Sequence, residues 1–467
     1  MSVAREPFSP PSTGEDYHDW GKNPWIDTAQ DHLSTFAADV DTASYTIARK
    51  KLEGGELPPP ASVRVEEWVN YFHYAFPAPA EGSHFSTVID AAPNPFFAQR
   101  AILRVGVATP AKAPGERLPA NLVFLVDVSG SMDEPDKLPL AKQALRVLVD
   151  HLNAHDTVAL VTYASDSRVI LPRTSIDYKD KILAAIDHLE PGGSTAMASG
   201  LDTAYEIAAQ NLKPGTISRV IVCTDGDANV GPHSFAQLLS IIEGRAKQGV
   251  ALSTIGFGMG NYKDTAMEQM ADKGNGNNYY IDSLAMAKRV FADQLTSTIE
   301  VAAKDVKLQV EFDPGAVTHY RLIGYENRDV ADKDFKNDQV GGGQVGWGHQ
   351  VTAMYEVVLA KPGAPLGVLR IRHKAPEADT SVEETFAMAA PPAESLAAAA
   401  KDLQFAFAVA ALADVLRGNA DAQGWSLDAI RSLAADAAGA DPDRRELLGL
   451  IDRARKLRTS TVAAVAR

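Results

Sequence analysis

Apolar runs and helical stripes alternate through the middle of this chain. Leu122-Val-Phe-Leu-Val126 runs straight into Asp127, and an apolar run of that length reads as a buried parallel strand. Similar runs predict strands at 121–127, 157–163, 219–225, 250–257 and 278–282. Between them, apolar positions at helical spacing predict helices at about 137–152, 178–189, 197–212, 234–248, 263–272 and 283–300. Arg168 to Leu171 adds a short antiparallel edge strand. Regular alternation of strand and helix gives an α/β, doubly wound sheet with crossover helices.

The flanks have a different period. Residues 84–92 and 100–109 alternate imperfectly, as half-buried antiparallel strands do. After Ala303 the β pattern returns at Val306–Phe312, Thr318–Ile323, Thr352–Leu359 and Leu366–Arg372. The economical arrangement is one β-sandwich, 83–119 and 303–390, with the α/β unit 120–302 inserted between its strands. Residues 327–350, with Gly341-Gly-Gly343, form a loop expected to be mobile. Residues 1–27 read as an extended lead-in, and 28–82 as a mainly helical region. Within it, Ser34–Asp41 could form a short strand, with helices at Thr42–Leu52 and Val63–Tyr74. The end, 395–467, is helical, and Asp441 before Pro442 marks an N-cap with proline at the first helical position.

Composition narrows the class. A chain of 467 residues is expected to hold two or three domains. It is 45% hydrophobic and 22% charged, as globular proteins are. The net charge of −15, without a long basic run, argues against nucleic-acid binding. Cys223 is the one cysteine, so no intrachain disulfide forms, and it reads as core packing. No transmembrane segment is expected, because no 18-residue apolar run occurs. Met1-Ser-Val-Ala-Arg-Glu-Pro lacks the apolar core of a signal peptide.

The chemistry gathers where the strands end. Asp127, Ser129 and Ser131 put a carboxylate and two hydroxyls on one loop at the carboxyl edge of the sheet, where open α/β folds place ligands. Ser129, Ser131 and Pro135 each offer a start for the next helix. Hard oxygens of this kind suit Mg²⁺. The pattern Asp-x-Ser-x-Ser resembles the first segment of the metal-ion-dependent adhesion site of von Willebrand factor type A (VWA) domains. That family completes the site with a threonine and an aspartate on two later loops. Thr195, in Gly192-Gly-Ser-Thr195, and Asp225, in Thr224-Asp-Gly226, stand in those places.

The resemblance extends to the flanks. Asn23-Pro-Trp-Ile-Asp-Thr-Ala, Pro58-Pro-Pro-Ala-Ser-Val-Arg-Val-Glu-Glu-Trp and the helical end from Lys401-Asp-Leu-Gln-Phe-Ala are similar to bacterial YfbK-type VWA proteins. It implies a divalent cation, Mg²⁺ with Mn²⁺ or Ca²⁺ as alternatives, held by Asp127, Ser129, Ser131, Thr195 and Asp225. It also implies a protein partner that offers an acidic side chain to that cation. Many members of that family carry a secretion or lipoprotein signal, which implies the cell envelope; the start of this chain leaves the cytoplasm open.

Other motifs have simpler accounts. Asp39-Val-Asp41-Thr42 resembles a phosphatase loop, but helix capping explains its aspartates. Asp225-Gly-Asp227-Ala-Asn229 has alternate oxygens without the glycine and glutamate of a calcium loop, so Asp227 and Asn229 read as turn residues. His151 and His155 have zinc-helix spacing but lack the intervening glutamate, and helix-end capping accounts for them. Asp133 and Glu134 read as solvent-facing acids at the start of the next helix. Gly256-Phe-Gly-Met-Gly260 reads as a tight loop. No nucleophile elbow or phosphate loop is present. The leading expectation is therefore a non-enzymatic recognition, adhesion or scaffold protein. The alternative is an assembly subunit working with a separate ATPase. A metal-dependent hydrolase would need Asp225 or Asp133 as its base.

Overall fold

The computed structural model describes residues 14–210, 212–226, 234–361, 363–388 and 393–465, with only the backbone of the last six. They form two units: Met1–His18, Ala120–Gly274 and Ile281–Lys288 in the first, and Asp19–Pro119, Asn275–Tyr280 and Arg289–Arg467 in the second.

The first unit holds β1 (Ala120–Asp127), β2 (Thr157–Tyr163), β3 (Ser167–Ser175), β4 (Ile217–Thr224) and β5 (Ala251–Gly256). They lie in the order β5-β4-β1-β2-β3. β1 is parallel to β2 and β4, and β4 is parallel to β5. β3 is the antiparallel edge. Every residue of β1 is buried. That is why its sequence is a continuous apolar run rather than an alternating one. The connecting helices are α1 (Leu138–Asp150), α2 (Lys179–Asp187), α3 (Met197–Ala209), α4 (Phe235–Lys247) and α5 (Asp264–Lys273). α4 opens with a reciprocal cap between Ser234 and Gln237, which satisfies two backbone N–H groups at the helix start.

Three expectations change here. The predicted helix 283–300 is three pieces: an α turn at Leu284–Lys288, a π turn at Arg289–Asp293 and an α turn at Leu295–Ile299. α1 starts at Leu138, so Asp133 and Glu134 are exposed loop residues rather than first-turn acids, and Lys137 takes the cap position. The lead-in is not loose at residues 14–16: Asp16 N–H donates to Tyr262 O at 3.0 Å, and Gly260 N–H donates to Glu15 Oε1 at 2.9 Å.

The second unit is built on two antiparallel sheets. One has the order 26–27, 317–323, 350–359, 100–108, 86–93. In the other, Val301–Phe312 pairs along one edge with Gly367–Lys374, which pairs with Val382–Ala387. Its other edge is shared end to end by Gly343–Gly346 and Leu33–Ala37. Phe36, Leu103, Val105, Leu308, Val310, Tyr355, Leu369 and Ile371 belong to one buried cluster drawn from both sheets. This is the β-sandwich expected from the alternating pattern.

The Gly341–Gly343 stretch is not slack. A Cβ on Gly343 would collide with the backbone of Ala38, so glycine lets the strand approach. The cap position of the following helix falls to Thr42 rather than to Asp39 or Asp41. Both aspartates pair with Arg328, at 3.2 and 3.3 Å, and Asp41 Oδ1 also accepts from Asn278 N–H.

Helices pack around the sandwich within the same unit. Lys401–Leu416 is buried at every position from Leu403 to Leu416, which explains its lack of a polar face. Its one buried acid, Asp414, accepts from Arg417 Nε at 2.7 Å and Arg321 Nη2 at 3.2 Å. Asp441 Oδ1 accepts from the Asp443 and Arg444 N–H groups, the expected cap of the last helix. Tyr45 stacks on Tyr71 and meets Trp68 and Phe72 edge-on.

Glu66, in the helix Val65–Tyr71, is buried, and its Oε2 accepts from Tyr325 N–H at 2.9 Å. Burial pushes its carboxyl up to about 7, helped by the negative charges of Glu326 and Asp39 and opposed by the Tyr325 hydrogen bond. A carboxyl raised in the folded state favours folding fully below its ordinary value of 4.5, and that contribution is lost as pH rises through about 7. We therefore expect Glu66→Gln to gain stability over the native chain as pH rises from 4.5 to 8, by on the order of 1–3 kcal/mol. Urea unfolding at several pH values checks this; a constant difference across that range refutes it.

Candidate metal centre

The fully buried β1 delivers Asp127 to the carboxyl edge of the sheet. Its side chain is buried, with 0% exposure. Oδ1 accepts from Ser129 N–H at 2.8 Å, and Oδ2 accepts from the Thr224 hydroxyl at 2.9 Å. Thr224 comes from the end of β4, the strand beside β1. Burial pushes the Asp127 carboxyl up to about 6. The Ser129 and Thr224 hydrogen bonds oppose that rise, and the Asp225 charge adds to it.

The loop after β1 turns through a short 3₁₀ segment, Gly130–Met132. This brings Ser129 Oγ and Ser131 Oγ to 3.1 Å from one another. The loop carrying Thr195 is tied to it by two backbone bonds. Gly130 N–H donates to Gly193 O at 3.1 Å, and Gly192 N–H donates to Val128 O at 2.7 Å. Thr195 is partly buried just before α3.

Asp225 follows β4 and is 0% exposed. Lys137 Nζ donates to its Oδ2 at 3.0 Å, and Asn261 Nδ2 donates to the same oxygen at 3.1 Å. Burial would raise this carboxyl, but hydrogen bonds from Asn261, Lys137 and Ser131, together with the Lys137 charge, hold it below the ordinary range. Asp227 and Asn229 lie outside the described residues.

The five residues singled out from sequence thus come from three loops at one edge of the sheet. Direct hydrogen bonds tie Asp127 to Ser129 and Thr224, and backbone bonds tie the Thr195 loop to the first. Sequence reading missed Thr224, Lys137 and Asn261. Thr224 carried a usable signal, because it precedes Asp225 at a strand end. Lys137 and Asn261 meet Asp225 only through the fold.

The donor set suits a hard divalent cation: carboxylate and hydroxyl oxygens, with no thiolate or imidazole among them. Among the described residues no cluster of three or more His, Cys, Asp and Glu could hold a metal, so a cation here would depend on the hydroxyls. His151 Nδ1 lies 2.8 Å from Val147 O, a contact with the end of its own helix. Cys223 is buried, and burial pushes its thiol up to about 12.

Residues 121–293 match the family described as von Willebrand factor type A domain, and the α/β unit is a VWA domain. Residues 11–104 match the description von Willebrand factor, and 297–366 and 360–457 match Uncharacterized protein YfbK, C-terminal. Uncharacterized protein YfbK of Escherichia coli is 38% identical over 93% of this chain and 80% of its own. The chain belongs to the YfbK family of VWA-domain proteins. Uncharacterized protein sll0103 of Synechocystis sp. is 27% identical over 46% of this chain and 50% of its own. A solved structure described as von Willebrand factor type A from Catenulispora acidiphila is 19% identical, with a TM-score of 0.44 over 79% of this chain and 90% of its own.

Gly258 marks how closely this site is packed. Its φ is +67°, and a Cβ there would run into the Lys137 side chain at 2.3–2.9 Å. Gly258→Val should lower the stability of the VWA domain by about 1–3 kcal/mol, from backbone strain plus displacement of Lys137. Denaturant unfolding measures it; a change within 0.5 kcal/mol of zero, which is the size of an ordinary surface substitution, would show that Lys137 does not lie over Gly258.

Proposed function

We propose that this chain is a non-enzymatic recognition protein that binds an acidic side chain of a protein partner through a divalent cation. Asp127, Ser129, Ser131 and Thr195 would hold the cation, with Asp225 fixing the surrounding hydrogen bonds. The observation that carries this reading is the pairing of Ser129 Oγ and Ser131 Oγ at 3.1 Å on a loop whose one carboxylate is already fixed by a backbone N–H and a threonine hydroxyl. Mg²⁺ is the cation that this oxygen set suits best. Bound there, it supplies positive charge that a carboxylate from outside can meet. Few anions around the cation leave that charge largely unspent.

Two further features support recognition over hydrolysis. A general base needs a carboxylate free to take a proton, whereas Asp225 is engaged by Lys137 and Asn261. Asp133, the other candidate base, is an exposed loop residue. A cavity of about 300 Å³ also lies against the first two loops, with Met132, Leu138, Leu189 and Pro191 on its walls and two basic and two acidic side chains, Lys142, Arg146, Asp133 and Asp187, around them. Arg146 pairs with Asp187 at 2.6 Å and Lys142 donates to the Asp187 and Leu189 carbonyls, so what the cavity offers beside the docking place is apolar depth.

The family resemblance supports a site of action in the cell envelope, with the cytoplasm as the alternative. Among the described residues no helix is long and apolar enough to cross a membrane.

Calorimetric titration of chelator-stripped chain with Mg²⁺ or Mn²⁺ tests the reading. Saturable binding is expected, lost in Asp127→Ala, with partner capture that depends on the metal and is reversed by chelator. Metal binding that survives Asp127→Ala would place the cation elsewhere and end the proposal.

A further inference from the structure

Lys137 is only 6% exposed, an unusual setting for a lysine. Its ammonium donates to three oxygens: Ser131 O at 2.9 Å, Asp225 Oδ2 at 3.0 Å and Asn261 Oδ1 at 3.3 Å. An ammonium has three protons to give, so its hydrogen-bonding capacity is met within the site. The side chain reaches these partners by lying across Gly258, where a Cβ would leave it no room. The loop that supplies Asn261 is in turn held by Glu15 and Asp16. The ammonium's position is therefore specified from four places in the sequence.

We infer that Lys137 is a built-in counter-cation that lowers the affinity of the centre for a divalent ion and makes tight binding depend on a carboxylate supplied from outside. This rests on the reading of Asp127, Ser129, Ser131, Thr195 and Asp225 as a metal centre. Asp127 and Asp225 bring two negative charges to that centre, and the ammonium cancels one of them. A divalent ion entering the centre is then over-balanced by positive charge. An acetate-like ligand restores the balance, so cation and carboxylate each strengthen the binding of the other. Without the lysine, the two aspartates would match the ion by themselves, and an outside carboxylate would add little. Lys137 acts through Asp225 and is a positioning residue, not a ligand.

The test is calorimetric titration of the full chain with Mn²⁺ and with Mg²⁺, with and without sodium acetate at matched ionic strength. The native chain is compared with Lys137→Met, Lys137→Gln, Lys137→Arg and Asp127→Ala. Methionine keeps the length and apolar character of the side chain, and glutamine keeps some hydrogen bonding, so one reports if the other fails to fold. Removing the unit charge that pairs with Asp225 at 3.0 Å should tighten divalent-ion binding by about tenfold or more. Lys137→Met and Lys137→Gln are expected to show that gain and to lose most of the enhancement by acetate. Lys137→Arg, which keeps the charge, should behave as the native chain does. A merely structural lysine would move the melting temperature without this split. Equal or weaker affinity in the Met and Gln variants, with binding still lost in Asp127→Ala, overturns the inference and leaves the metal centre standing. Absence of Asp127-dependent binding in every variant overturns the metal centre and this inference together.

Discussion

Strand β1 carries a carboxylate to a buried position at the sheet edge, and much of the VWA domain is arranged to answer it. An isolated buried charge costs several kcal/mol. Asp127 receives a backbone N–H from Ser129 and a hydroxyl from Thr224, and the second requires β4 to lie beside β1 in register. The loop bearing Thr195 is tied to the turn bearing Ser131 by two backbone bonds, Gly130 to Gly193 and Gly192 to Val128. The Ser131 hydroxyl lies between Ser129 Oγ and the Asp225 carboxylate, so the first loop is joined to the third through it. Asp225, one residue beyond Thr224, has its charge met by Lys137 and Asn261 instead. The two aspartates of the centre are therefore not equivalent: one is held by neutral donors, the other by a cation and an amide.

What the sequence made legible was local. β1 reads as a strand because Leu122 to Val126 form an unbroken apolar run up to Asp127, and Asp-x-Ser-x-Ser needs no tertiary knowledge to be seen. What it hid was distant or faint. Lys137 gave no signal, because its partners Asp225 and Asn261 are 88 and 124 positions away. Val382–Ala387 went unpredicted because it carries few apolar positions and none of its residues is fully buried. The glycines at 341–343 suggested slack, since composition cannot tell a glycine that frees a chain from one that lets two backbones touch. The helix expected over 283–300 kept its apolar periodicity, but a π turn interrupts its hydrogen bonding, and that change leaves little trace in the pattern of residues.

The second unit settles its charges by a different route. Asp414 lies on a helix buried on all sides and is matched by Arg321 and Arg417, and Arg321 also reaches Glu356 Oε2 at 2.6 Å. Such pairs add little net stability compared with apolar packing, but they admit few alternative arrangements. Here they join a sandwich strand to the helical end of the chain. Asp39 and Asp41 do the same with Arg328. Motifs that look catalytic in a linear reading can thus be fasteners between segments.

The shared edge of Val301–Phe312 bears on how the chain is made. Thr35 and its hydrogen-bond partner Gln309 are 274 positions apart. Strands β1, β2, β4 and β5 of the VWA sheet are synthesised by residue 256. The β segment at 33–37 therefore leaves the ribosome long before its neighbour exists, and the whole VWA domain emerges in the interval. At ribosomal speeds of roughly 5–20 residues per second the wait is tens of seconds. Through that time an apolar strand edge around Phe36 stands without its partner, the condition under which strands find wrong ones. A nascent-chain binder shielding that segment would help most before the last third of the protein is translated.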